Sequence, residues 1–290
     1  MEFGQGSGRD LISRRGVLAL FGAIAAMRHA GAAEQAIMQP VALDHVNIRV
    51  PNVARTAQFY MALVDTPVLR SQTLRAQPDS PPGEGFFLRF GDGYLAISQA
   101  FAPDLPGLDH YSLGLRDYDK AKVTASLQDN GTPAPARSSA DVWLSDPDGS
   151  VMQLRPPGGW ARQSATPYQP PARRGPAFSP LRISRLTLRT ADLDRAGNFY
   201  RRLFGAEITS PAAYRSRAFP IGDAVLELFS PPEALPLDVG LDHIRIAVKD
   251  YTIDHAARIL GERGIEMSAA PAGAARIADP DGLRIELAAA

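Results

Sequence analysis

The stretch GLDHYSLGL at residues 107–115 returns as GLDHIRIAV at residues 240–248. Each copy sets a histidine, His110 or His243, at the head of an alternating run. Alternation of this kind marks a strand with one buried face. In the first copy Tyr111, Leu113 and Leu115 share the apolar face, and His110 and Ser112 share the other. The match extends outward. HVNIRVPNVARTAQFYMALVDTPV (45–68) corresponds to RLTLRTADLDRAGNFYRRLFGAEI (185–208) at an offset of 140 residues. LSDPDGSVMQLRP (144–156) corresponds to IADPDGLRIELAA (277–289) at an offset of 133, the same offset that relates the two histidines. The spacing from His110 to Gln153 is 43 residues, and so is that from His243 to Glu286. Landmarks repeated in order and at fixed spacing mean an internal duplication.

Each half divides again. Residues 43–98, 108–155, 181–229 and 241–287 all read as a strand, a helix and further strands, and two of the helices carry Phe-Tyr. The expected class is α+β, built of four βαβββ units. Each DPDG lies between strand-like runs, and its Asp-Gly predicts a tight hairpin turn. The segment PPGGWARQSATPYQPPARRGPAFSP (156–180) is rich in Pro, Gly and Arg and lacks apolar periodicity, which predicts a linker over 158–180. One domain then spans 41–157 and the other 181–288.

Composition narrows the function. Lys and Arg number 31, as do Asp and Glu, so net charge gives no reason to expect a nucleic acid or an anionic membrane as partner. Cysteine is absent, which excludes disulfides, thiol catalysis and thiolate-bound metal. The N-terminal SRRGVLALFGAIAAMRHAGAAEQ (13–35) runs from paired Arg14 and Arg15 through an apolar stretch, Val17 to Met27, to small residues. That order predicts a cleaved export signal over 1–33, with cleavage near Ala32 or Ala33. Ser13, Arg14, Arg15 and Leu18 fit a twin-arginine (Tat) pattern, which predicts a periplasmic or secreted protein with no stable membrane anchor after cleavage. The apolar run is too short to span a bilayer comfortably.

LDH opening a strand, the Phe-Tyr helix and DPDG ahead of an apolar strand, all in duplicate, resemble the vicinal oxygen chelate superfamily. That group includes glyoxalase I, fosfomycin and bleomycin resistance proteins, and extradiol dioxygenases. The resemblance implies two tandem glyoxalase-like domains. Each would be a cup-shaped sheet made from two βαβββ units, with helices outside the cup. It also implies a divalent metal, Zn, Ni, Mn or Fe, chelating neighbouring oxygens of a small substrate. A homodimer is a further possibility.

Strand alternation aims His45, Asn47, His110, Ser112, Gln153 and Arg155 into the first cup. By resemblance His45, His110 and Gln153 fall on three metal-ligand positions, and the fourth falls on Ala96. Asn47, Ser112 and Arg155 are then candidates to orient substrate. In the second cup the same positions hold Arg185, Glu227, His243 and Glu286, with Arg245 and Arg284 on the same face. Glu227, His243 and Glu286 form an alternative ligand set, while Arg185 either pairs with the carboxylates or receives an anionic group of the substrate. Neutral imidazole with oxygen donors suits a divalent metal. A carboxylate is missing from the first cup, which weakens the case for iron-dependent ring cleavage. Ala96 supplies no base for proton abstraction. Three readings remain open: an exported metalloenzyme of lyase, isomerase or dioxygenase type using the first cup, the same using the second, and a metal-free binding protein of the bleomycin-resistance type.

Overall fold

Among the described residues, each of four α-helices starts on a side chain that caps it. Asn52 accepts from the backbone of Arg55, Asp119 from Lys122, Asp192 from Asp194 and Arg195, and Thr252 from His255. These are the residue types whose oxygens best satisfy the free N–H groups of a helix start. The helices are α1 (Val53–Leu63), α2 (Lys120–Asp129), α3 (Leu193–Phe204) and α4 (Ile253–Glu262). The computed structural model describes residues 36–74, 83–101, 105–132, 134–135, 139–159, 165–169, 175–205, 207–209, 215–231 and 239–290. The expected export signal, 1–33, lies outside the described residues. No described helix is long and apolar enough to cross a membrane.

The strands assemble into two mixed sheets. In the first half they are β1 (Pro40–Val50), β2 (Val68–Leu74), β3 (Gly83–Phe90), β4 (Gly93–Gln99), β5 (Gly107–Leu115), β6 (Val142–Ser145), β7 (Val151–Arg155) and β8 (Ala165–Pro167). They order as β6-β7-β5-β1-β4-β3-β2-β8. The second half supplies β9 (Pro180–Arg189), β10 (Ser216–Ile221), β11 (Ala224–Phe229), β12 (Gly240–Val248), β13 (Ser268–Ala270), β14 (Ala274–Ala278) and β15 (Arg284–Ala288). Their order is β10-β11-β9-β12-β15-β14-β13. Two units thus share each sheet through an antiparallel central pair, β1 with β5 and β9 with β12. The first and fourth units have all three strands after the helix. Among the described residues the second has two, and the third has two plus the single bridge Ile208–Ala218.

The expected linker carries structure of its own. Ala165–Pro167 adds β8 to the edge of the first sheet, and Phe178 bridges Val64 and is buried in the core. An edge is where a sheet tolerates a proline, because no inner neighbour needs its missing N–H.

One apolar core runs through both halves. Val46, Ile48 and Val50 of β1 and Val53, Ala57 and Tyr60 of α1 belong to it, as do Leu186 and Leu188 of β9 and Ala196 and Tyr200 of α3. The halves also clasp each other reciprocally. Each DPDG forms a turn of five residues, wider than a two-residue hairpin, because Asp146 Oδ1 accepts from the backbone of Asp148 and Ser150, and Asp279 Oδ1 from Asp281 and Leu283. Gly149 and Gly282 end these turns at φ 89° and 84°, a conformation that glycine adopts without strain. The remaining carboxylate oxygens cross over. Tyr200 of α3 donates to Asp146 at 2.9 Å and Tyr60 of α1 to Asp279 at 3.4 Å. Asp281 accepts from Arg55 and Thr56, and Asp148 from Arg195 and Thr190. Between the halves Tyr111 and Tyr200 join hydroxyls at 2.7 Å.

Candidate functional site

The register of the first sheet gathers the predicted cup residues. His45 lies beside Tyr94 on β4 and Ser112 on β5, and Ser112 lies beside Gln153 on β7. Asn47 lies between Ala96 and His110. The two histidines meet: His45 Nε2 is 2.9 Å from His110 Nε2. Each turns its other nitrogen to the aspartate one residue before it. His45 Nδ1 donates to Asp44 at 2.8 Å, and His110 Nδ1 donates to Asp109 at 2.5 Å.

In strict alternation, neighbouring side chains point to opposite faces, so this contact needs a break in the pleat. β-Bulges provide it. Along the β1–β5 pairing the register passes from Leu43 to His45, skipping Asp44, and from His110 to Leu108, skipping Asp109. The β9–β12 pairing skips Asp242 in the same way, and His243 Nδ1 donates to Asp242 at 2.7 Å. A fourth irregularity skips Ser184, ahead of Arg185. A bulge re-aims the side chain it displaces. Asp44, Asp109 and Asp242, the aspartates of the three LDH triplets, were not among the expected site residues.

A carboxylate on Nδ1 fixes the neutral imidazole as the tautomer whose Nε2 lone pair is free. In the first cup two such lone pairs face each other across 2.9 Å. Left bare they repel; a shared cation removes the repulsion. Two nitrogens, each about 2.0–2.1 Å from one ion, stand roughly 3 Å apart when they subtend about a right angle. Gln153 is buried, with its Nε2 donating to Asp141 and its Oε1 without a hydrogen-bond partner. Ser112 Oγ is likewise buried and unpartnered. Such atoms cost about 1–3 kcal/mol each unless something occupies them. The residues of the first cup therefore fit a divalent ion held by His45, His110 and Gln153. Tyr94 stacks on His45 at 4.3 Å, and Trp143 meets His110 edge-on at 4.9 Å. Phe87, Tyr94 and Ala96 form a buried apolar patch with Leu69, Leu74 and Ala165 packed against it.

Two of the expected substrate groups are engaged otherwise. Asn47 donates to Asp109 at 3.2 Å and accepts from Ser98 at 3.0 Å. Arg155 lies 3.3 Å from Asp44. Both brace the aspartates behind the histidines. Of the three, Ser112 keeps its Oγ and Arg155 its Nε without a hydrogen-bond partner.

The second cup holds a charge network. Arg185 contacts Glu227 at 2.6 Å, Thr187 bridges Glu227 and His243 at 3.3 and 3.2 Å, and His243 Nε2 lies 3.3 Å from Glu286. Glu286 is taken on both oxygens, one by Arg245 and the other by Arg276, each at 2.6 Å. Thr187 and Arg276 were not anticipated. Burial disfavours charge on His243, but Asp242 and Glu286 outweigh it and raise its pKa. Burial likewise opposes ionisation of Glu286, yet His243 and Arg245 hold its carboxyl far below the usual range. A histidine shifted toward its charged form is a weaker metal ligand, and a carboxylate held by two guanidiniums has little left to offer a metal. Among the described residues no group of three His, Cys, Asp or Glu side chains forms a metal cluster in either cup.

This is the tandem fold of the extradiol dioxygenases: two sheets, each made of two βαβββ-type units. Residues 182–287 match the family model described as the Glyoxalase/Bleomycin resistance protein/Dioxygenase superfamily. Among solved structures, the chain is similar to the 2,3-dioxygenase LapB from Pseudomonas sp. KL28, with a TM-score of 0.58 and 18% identity, covering 86% of this chain and 92% of that one. It is similar also to BphC, a halotolerant catechol dioxygenase, with a TM-score of 0.61 and 15% identity, covering 86% of each chain. Among curated proteins, it is 27% identical over 183 residues to the Arabidopsis thaliana protein described as "Probable lactoylglutathione lyase, chloroplastic". That stretch covers 57% of this chain and 44% of the relative, so the chain spans under half the length of the protein it matches.

Proposed function

We propose that the chain is an exported metal-dependent enzyme of the vicinal oxygen chelate type, of lyase, isomerase or dioxygenase class, working in its first cup. The carrying observation is the 2.9 Å approach of His45 Nε2 and His110 Nε2, each imidazole backed by a carboxylate. His45, His110 and Gln153 would hold Zn, Ni, Mn or Fe. When bound, the ion supplies a Lewis acid toward neighbouring oxygens of a small substrate. The chain's own residues do the rest. Asp44 and Asp109 fix the imidazole tautomers, and Arg155 offsets the charge of Asp44. Ser112 Oγ is available to bond a substrate oxygen, and the Phe87–Tyr94–Ala96 patch keeps water from one wall.

Metal analysis of untagged protein tests this. Stoichiometric metal in the wild type, lost in the His45→Ala/His110→Ala double variant, is the expected result; equal metal content in both sinks the proposal. The apolar patch also favours a second reading, a metal-free protein that sequesters aromatic ligands. Retained binding of an aromatic ligand by protein without stoichiometric metal supports that reading instead.

A further inference from the structure

A cleft of about 450 Å³ lies between the two halves, outside both cups. Neither His45, Gln153, Glu227 nor Glu286 lines it. Its walls come in matched pairs, one from each half: the starts of β5 and β12, the two DPDG turns, and Arg49 with Arg189. Its volume is that of a small-molecule site, about 300–1,000 Å³.

Four carboxylates border the cleft, and each has a cation or an imidazole for a partner. Asp148 and Asp281 are 3% and 2% exposed and are held by Arg195 and Arg55. Asp109 and Asp242 back the histidines through one oxygen, and the other oxygen of Asp242 faces Arg284 at 2.8 Å and Arg189 at 3.5 Å. The solvent-facing charge is cationic: the side chains of Arg49, Arg189 and Arg284 are 23%, 20% and 39% exposed. Arg49 is under-used. Its closest carboxylate oxygen, Asp109 Oδ1, stands at 3.6 Å, beyond hydrogen-bonding range, and its Nε has no partner.

The mouth is apolar. Four large apolar side chains are exposed among the described residues, and two of them, Leu105 at 78% and Val239 at 42%, line this cleft. Guanidiniums beside exposed apolar groups suit a ligand with one charged and one greasy end. We infer that the cleft is a binding site for a small organic anion. Its phosphate or carboxylate group is taken by Arg49, Arg189 and Arg284, and its apolar body lies against Leu105 and Val239. The site is independent of metal in the first cup.

Calorimetric titration of the full chain with phenyl phosphate, benzoate and phenol tests it. Saturable one-to-one binding of at least one anion, absent for phenol and weakened by added salt, is expected; which anion binds identifies the headgroup. Arg284→Ala and Leu105→Glu, both at partly or largely exposed side chains, should each weaken binding about tenfold or more, Leu105→Glu without shifting the melting temperature and Arg284→Ala with a cooperative unfolding transition retained. His45→Ala should leave it intact. No saturable binding of either anion overturns the inference. So does equal binding of phenol, or binding that survives Arg284→Ala and Leu105→Glu but is lost in His45→Ala, which would place the anion in the cup.

Discussion

Asp109 precedes His110 on a bulged strand, and its Oδ2 lies 2.5 Å from His110 Nδ1. The same carboxylate oxygen accepts from Asn47 at 3.2 Å, so Asp109 and Asn47 together fix one imidazole. Asp109→Asn keeps the shape and removes the charge. Metal affinity is expected to fall about 10–100-fold, the usual cost of losing a carboxylate behind a histidine ligand. Competition titration with a chromogenic chelator measures it, and an unchanged affinity would detach Asp109 from the metal.

The second cup predicts the opposite pattern. Glu286→Ala leaves Arg245, Arg276 and His243 facing each other in a buried site. Breaking a buried ion pair from one side costs about 3–5 kcal/mol. Urea unfolding should show a loss of that order, with the metal content of the purified protein unchanged.

The pH dependence of stability follows from His243. Its folded pKa is raised above 6.5, so its contribution is complete below the unfolded value and fades as pH rises through the folded one. Glu286 and Asp242 are shifted down, so theirs is complete above the unfolded carboxylate values and fades as pH falls through the folded ones. Stability should therefore peak between the two limbs. His243→Gln is expected to flatten the alkaline limb, as read from unfolding free energies across the pH range. An alkaline limb as steep as the wild type's counts against this assignment.

The interdomain clasp gives a fourth expectation. Asp281→Ala takes a carboxylate from Arg55 and from the buried hydroxyl of Thr56, which keeps only the Asn52 carbonyl, and Tyr200→Phe removes a donor from Asp146 and a partner from Tyr111. Each should cost about 1–3 kcal/mol, measured by thermal and chemical unfolding. Melting temperatures equal to wild type would mean that the core alone holds the halves together.

The duplication and the alternation of β1, β5 and β12 were legible from residue types alone, because a sheet with one buried face imposes a period of two. His45 and His110 could be aimed into one cup for that reason. The aspartate beside each histidine was legible as a letter but not as a neighbour. Alternation sends Asp44 and Asp109 to the opposite face, and only the bulges, which follow from cross-strand register, return them. Arg276 escaped notice because its meeting with Glu286 depends on the pairing of β14 with β15. Ala165–Pro167 looked like linker because three residues ending in proline are too few to show a period; the edge of β2 makes them a strand.

The crossed turns bear on how a duplicated protein ages. In each half the DPDG carboxylates and the helix tyrosine find partners in the other half, whatever its cup contains. A cup can therefore trade ligands for arginines without loosening the clasp. Neither half can be discarded, because the survivor would expose a buried tyrosine and a ring of unanswered carboxylates. The half whose cup holds the arginine network still clasps its sibling.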